Sequence, residues 1–178
     1  MNRLQRAAVL LELTDRLSAG GSWCGETHIQ KATYFLQELT KVPSNFDFIL
    51  YKHGPFSFGL RDELTAMRAD GFLQLRLQPP YGPSLVTTEI GRELKDEHPR
   101  TLEEHRRAIR FVAEQLATRN VSELERLATA LFVTLEGAPK SAEERAEEIN
   151  DLKPHIDLES AEAAVDEVEE MIGAARSL

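Results

Sequence analysis

Only one cysteine, Cys24, occurs among the 178 residues. A lone thiol excludes an intramolecular disulfide and every zinc pattern built on cysteine pairs, and it suits a reducing interior. Long apolar runs are lacking too: AAVLL at 7–11 falls far short of the ~20 residues that span a bilayer. No N-terminal stretch joins a charged region, an apolar core and a small-residue cleavage site. Nucleotide-binding signatures are missing, with neither a P-loop nor a GxGxxG, and no serine sits in a G-x-S-x-G elbow. His98 and His105 lie seven apart on one helical face but have no local third ligand. Cys24 beside Trp23 has nothing nearby to depress its pKa and reads as a packed residue. A Ser–His–Asp triad assembled from distant segments stays open at this stage. The expectation is a soluble, cytoplasmic, non-enzymatic protein with no cofactor and no metal site.

What is present is ordinary globular material, 42% hydrophobic and 29% charged, with ten glycines and eight prolines. The net charge of −9 is unevenly placed. Residues 141–178 hold three basic residues against twelve acids, so this segment carries the whole imbalance. The first 140 residues hold 18 basic and 18 acidic groups and are neutral. That argues against a nucleic-acid binder using its whole surface, since such binding rests on neutralising phosphates. The clusters EERAEE and DEVEE read as solvated helix faces, with a divalent-cation surface as the lesser reading, and the acidic tail as a whole leaves open a basic protein partner.

Periodicity gives a mainly α (α+β) reading. The first helix runs from about Asn2 to Ser18 and stops at Gly20-Gly21. Thr27 with Gln30 reads as a capping box opening a second helix, and Pro43 follows its end. FDFILYKH at 46–53 alternates loosely and reads as one strand. After Gly54-Pro55, Ser57 caps a helix to about Asp70, with Leu60, Leu64 and Met67 at helical spacing. FLQLRL at 72–77 and LVT at 85–87 make a hairpin around PPYGPS, and Thr87 or Thr88 caps a helix to about Glu97. This order is that of a winged helix with an extra strand inserted. The division is 1–97, winged-helix-like, and 98–178, helical with acidic closing helices, packed together as one unit. In the second part Asn120/Glu123 and Ser141/Glu144 are capping boxes, Gly137-Ala138-Pro139 is a break, and Lys153-Pro154-His155 separates the last two helices.

In a winged helix the helix before the hairpin enters the major groove. Here it offers Arg61 and Arg68, with Asp62, Glu63 and Asp70 beside them. Lys52, Arg61, Arg68 and Arg76 are the candidate nucleic-acid contacts. Tyr51, His53 and Tyr81 are the candidate contacts to a partner or small ligand.

THIQKATYFLQELTK followed by FDFILYKHGPFSFGLRDELTAMRADGFL resembles the YwgA family, which is distantly similar to the Panacea domain of antitoxins. The pattern is an "LQKxxYFLQ" helix, an aromatic strand, a "GP-(F/Y)-S" corner and a helix ending "L-x-x-x-G". LERLATALFVT and EEINDLKPHIDLESAEAAVDEV look like the family's closing helices, so the resemblance covers roughly residues 5–172. It implies a bacterial or archaeal chain with no catalytic residues and an antitoxin-like scaffold that engages a protein partner. The expected function is therefore a regulatory or interaction protein with a protein partner, for which a basic surface fits the tail. The alternative is a winged-helix DNA-binding transcriptional regulator, as a dimer.

Overall fold

The computed structural model describes residues 1–77, 82–136 and 140–178 of the chain. The described residues form eight helices and four short strands: α1 (Arg3–Ala19), α2 (Glu26–Glu38), β1 (Ile49–Tyr51), β2 (Gly54–Phe56), α3 (Phe58–Ala69), β3 (Leu73–Arg76), β4 (Ser84–Thr87), α4 (Glu89–Glu97), α5 (Pro99–Leu116), α6 (Val121–Leu135), α7 (Ala142–Leu152) and α8 (Leu158–Ala175). The mainly α reading holds. No helix among the described residues is long and apolar enough to cross a membrane. The Gly137-Ala138-Pro139 break and Tyr81 lie outside the described residues.

Local signals placed most helix starts correctly. Ser57, Thr88, Asn120, Ser141 and Asp157 each accept a backbone N–H from the first turn they cap. The box at Thr27/Gln30 does not form: α2 begins two residues earlier, Gly25 is its cap, and no side chain closes it. Gln30 is engaged elsewhere. Its amide nitrogen donates to Ser57 O at 2.9 Å, and its oxygen accepts from Ser57 N at 2.9 Å. A tertiary contact across 27 residues has displaced a local cap.

The single strand expected over 46–53 is a hairpin instead. β1 keeps three residues of it, and Gly54-Pro55-Phe56 turns back to pair with them antiparallel, Ile49 opposite Phe56 and Tyr51 opposite Gly54. Lys52 and His53 form the turn. Gly54, at φ +79°, supplies the left-handed geometry a non-glycine residue resists. The second hairpin, β3–β4, pairs Leu73 with Thr87 and Arg76 with Ser84.

α2 is the central helix, with every residue from His28 to Leu36 buried. α1 lies along α5 and α4, α2 packs on α5 and α6, and α6 is covered by α7 and α8. One contiguous set of buried apolar side chains joins Leu10, Phe35 and Met67 to Ile109, Leu131 and Val168. The N-terminal and C-terminal parts therefore share a core.

Two glycines test this packing in opposite directions. A Cβ on Gly91 would stand 2.3 Å from Phe72 O, a backbone atom that cannot rotate away. Gly91→Ala should cost at least ~2 kcal/mol of stability in urea unfolding. Gly173, inside α8, has open space around it, and Gly173→Ala should add ~0.5–1 kcal/mol. Equal effects at the two sites would contradict the close approach of α4 to Phe72.

Candidate functional site

The hairpin β1–β2 is held by charges buried beneath it. Lys31, on the central helix, is only 2% exposed, and its Nζ donates to Pro55 O at 2.7 Å. Lys153, at the end of α7, is 7% exposed and donates to Tyr51 O at 2.5 Å and Lys52 O at 2.6 Å. Three carbonyls of the hairpin are thus bound by two ammonium groups arriving from opposite ends of the sequence.

Glu125, 6% exposed on α6, is the counter-charge. Its Oε1 lies 3.8 Å from Lys153 Nζ and 3.2 Å from His155 Nε2, and its Oε2 lies 3.5 Å from His53 Nδ1. Oε1 takes no hydrogen bond and is held by charge alone. Two buried lysines face one buried carboxylate, and burial pushes the Lys31 ammonium down to about 8, partly offset by Glu125 and reinforced by Lys153. The hairpin lies tight on this floor: a Cβ on Gly54 would meet Thr129 Oγ1 at 3.1 Å and Glu125 O at 3.4 Å.

The clamp fixes an aromatic cluster above it. Alternation along a strand puts Ile49 and Tyr51 on one face, and pairing sets Phe56 opposite Ile49. Tyr51, Phe56 and Phe58 then meet edge-on or tilted, with ring centroids 5.2–5.8 Å apart. The Arg61 guanidinium stacks 5.0 Å over Phe58. Ile49 and Tyr51 are each 49% exposed and Phe58 41%, an apolar patch on the surface.

Beside this patch, between α3 and the β3–β4 hairpin, runs a groove of about 190 Å³. Arg61 and Arg68, two helical turns apart, form its rim, and Leu64, Leu75 and Leu85 line it. Of the four basic candidates, only these two meet there. Lys52 sits in the β1–β2 turn, where its carbonyl serves the clamp. Arg76 follows Leu75 on β3, and strand alternation turns it to the other face. Tyr51 and His53 both gain a structural role: the Tyr51 carbonyl takes Lys153, and His53 faces Glu125.

A wider cleft of about 450 Å³ separates α6 from α8. Its Arg119 is bound to Glu167 and lies 3.9 Å from Glu123, while four acids and two arginines line it, so the cleft is net acidic. Cys24 is 2% exposed with its Sγ donating to Thr14 O, and burial pushes its thiol pKa up, away from nucleophilic use. Among the described residues, no group of histidine, cysteine, aspartate or glutamate side chains has the arrangement of a metal site.

Lys31, Glu125, Lys153 and His155 were not singled out by the sequence, because each sits inside a segment that reads as helix face or helix end. The only signal was a lysine and a glutamate placed among apolar residues of a buried stripe.

The fold and site together define a mainly α protein with two small hairpins, one of them clamped to present aromatic side chains. No family model matches the chain, and no characterised protein matches it either.

Lys153→Met removes the cation from two turn carbonyls and from Glu125, and should cost ~3 kcal/mol or more in urea unfolding. Lys31 carries a pH signature. Below pH 8 both folded and unfolded chains hold its proton; between pH 8 and 10.5 the unfolded chain holds more. Its contribution therefore improves as pH rises through that window. The stability of wild type relative to Lys31→Met should rise from pH 8 to 10.5, and a flat difference would show that Lys31 is not the buried cation.

Proposed function

We propose that this chain is a non-enzymatic interaction protein that binds a protein partner through the clamped β1–β2 hairpin and the start of α3. The observation carrying this reading is the exposed set Tyr51, Phe58 and Arg61, stacked on one another over the clamp, with Ile49 exposed on the same strand face. Aromatic and arginine side chains are the types enriched at binding hot spots. Rings already ordered before association lose little entropy on binding. The resemblance to the YwgA family, and through it to antitoxin scaffolds, supports a regulatory role. The segments that carry the resemblance include Gln30 and Lys31, the Gly-Pro corner, Ser57 and the Lys153-Pro154 turn. These are the residues the clamp uses.

A second reading, a winged-helix DNA-binding regulator, is favoured by one observation. Two of the three acids beside Arg61 and Arg68 are turned away: Glu63 binds Arg3 at 3.0 Å and Arg6 at 3.3 Å, and Asp70 binds Arg3 at 2.6 Å. The outer face of α3 is thereby left with Arg61, Asp62 and Arg68. Phosphate contacts would make duplex affinity fall steeply with salt.

Affinity capture from the native host with wild type and with the double variant Tyr51→Ala/Phe58→Ala separates the two readings. The first expects a co-purifying protein that the double variant loses roughly tenfold or more, while Leu158→Ala, at an isolated exposed leucine, retains it. Retention by the double variant would overturn the aromatic surface, and salt-dependent capture of duplex DNA lost in Arg61→Glu/Arg68→Glu would favour the second reading.

A further inference from the structure

The groove between α3 and the β3–β4 hairpin has two chemical halves. Leu64 and Leu85, 4% and 5% exposed, form its floor, and Leu75, 41% exposed, forms an unfilled apolar wall. Its volume of about 190 Å³ lies below the ~300 Å³ at which small-molecule sites begin, and suits one or two side chains. The rim is cationic. The Arg68 side chain makes no ion pair or hydrogen bond among the described residues, and the Arg61 guanidinium, stacked on Phe58, has its one ion pair there with its neighbour Asp62, at 3.6 Å. Among the described residues, Glu26 is the one acid lining the groove against these two arginines.

The arrangement on α3 is what leaves the arginines open. Glu63 and Asp70 would sit within one or two turns of them, but Arg3 and Arg6 of α1 draw both acids to the opposite side. A protein with a net charge of −9 thus keeps, beside its exposed aromatic patch, two arginines of which one has only the adjacent Asp62 for an ion pair and the other, among the described residues, has none.

We infer that this groove receives an acidic, leucine- or phenylalanine-bearing segment of a partner protein. The apolar side chain fills the space over Leu64, Leu75 and Leu85. A carboxylate one or two residues away meets the Arg68 guanidinium, whose planar fork pairs with both carboxylate oxygens. Duplex DNA would satisfy the arginines, but its bases are stacked on one another and it presents mainly phosphate and sugar to Leu75 and the neighbouring Phe58 and Tyr51. The inference rests on the interaction-protein reading and adds the chemistry of what is bound.

Selection of a random library of short displayed peptides on the full-length protein, followed by fluorescence anisotropy with the enriched peptides, tests it. Enriched sequences should carry Asp or Glu next to Leu, Ile or Phe. Arg68→Glu and Leu75→Ser, both at exposed positions, should each weaken binding roughly tenfold or more, with circular dichroism unchanged. Exchanging the peptide's acid for lysine should restore affinity to Arg68→Glu, which a merely structural role for Arg68 would not do. Enriched peptides without acids, binding within about twofold of wild type in Arg68→Glu, or displacement of the peptide by duplex DNA at physiological salt would overturn the inference. Peptides that lack acids yet are lost in Tyr51→Ala/Phe58→Ala would sink the acidic segment alone and leave the aromatic surface standing. A captured native partner indifferent to that double variant would sink the surface itself.

Discussion

Two buried ammonium groups set the shape of everything around them. Lys31 and Lys153 bind the carbonyls of Tyr51, Lys52 and Pro55, and those three bonds fix a short hairpin that could not hold itself. Burying this charge is costly, as the lowered pKa of Lys31 shows. Apolar side chains of similar volume are often as stabilising as a buried ionic cluster. They cannot, however, bind three carbonyl oxygens in set directions. The physical consequence of the clamp is a unique conformation for the turn, and through Gly54-Pro55 and Ser57 a fixed start for α3. Gln30 completes the joint by bonding both backbone groups of Ser57. A hairpin, a helix and an aromatic cluster all inherit their orientation from Gln30 and Lys31 on the central helix and from Lys153 at the end of α7.

How far the sequence revealed this depends on the range of each interaction. Ser57, Thr88, Asn120, Ser141 and Asp157 cap helices within three residues of themselves, so their patterns were readable directly. Gln30 looked like the far half of such a cap and is instead bonded 27 residues away; no local pattern distinguishes the two uses. FDFILYKH read as one strand because aromatic and branched residues continue through it. The register was decided by Gly54, whose positive φ starts a second strand where proline suggested a corner. Glu125 meets His53 across 72 residues and Lys153 meets Tyr51 across 102, and only the assembled core brings them together. Arg61 and Arg68 were legible as one helical face. That Arg76 would leave them, and that α1 would take away Glu63 and Asp70, were not.

The acidic closing helices gain a partial explanation. Three of their twelve acids are matched within the bundle: Arg145 binds Glu169, Arg119 binds Glu167, and Lys140 binds Glu148 at 2.5 Å. Among the described residues, none of Lys52, Arg61, Arg68 and Arg76 forms an ion pair with these helices. The acidic segment does not neutralise the α3 arginines directly. What it contributes to them is a long-range field of the opposite sign.

That field bears on which anionic partner α3 would accept. At physiological ionic strength charges are screened over about 8 Å, so a ligand confined to the groove senses mainly Arg61 and Arg68. A long polyanion extends beyond that distance and meets a molecule whose net charge is −9. Its approach is opposed, and the counterion release that drives duplex binding is limited to the few phosphates the two arginines reach. A short acidic segment escapes most of this penalty and also covers the apolar wall at Leu75. On the proposed reading, the separation of charge between α3 and the last two helices would act as a filter on ligand length. It would favour local recognition over attraction at a distance, and would make the apolar side chain, not the arginine pair alone, the part of the partner that decides affinity.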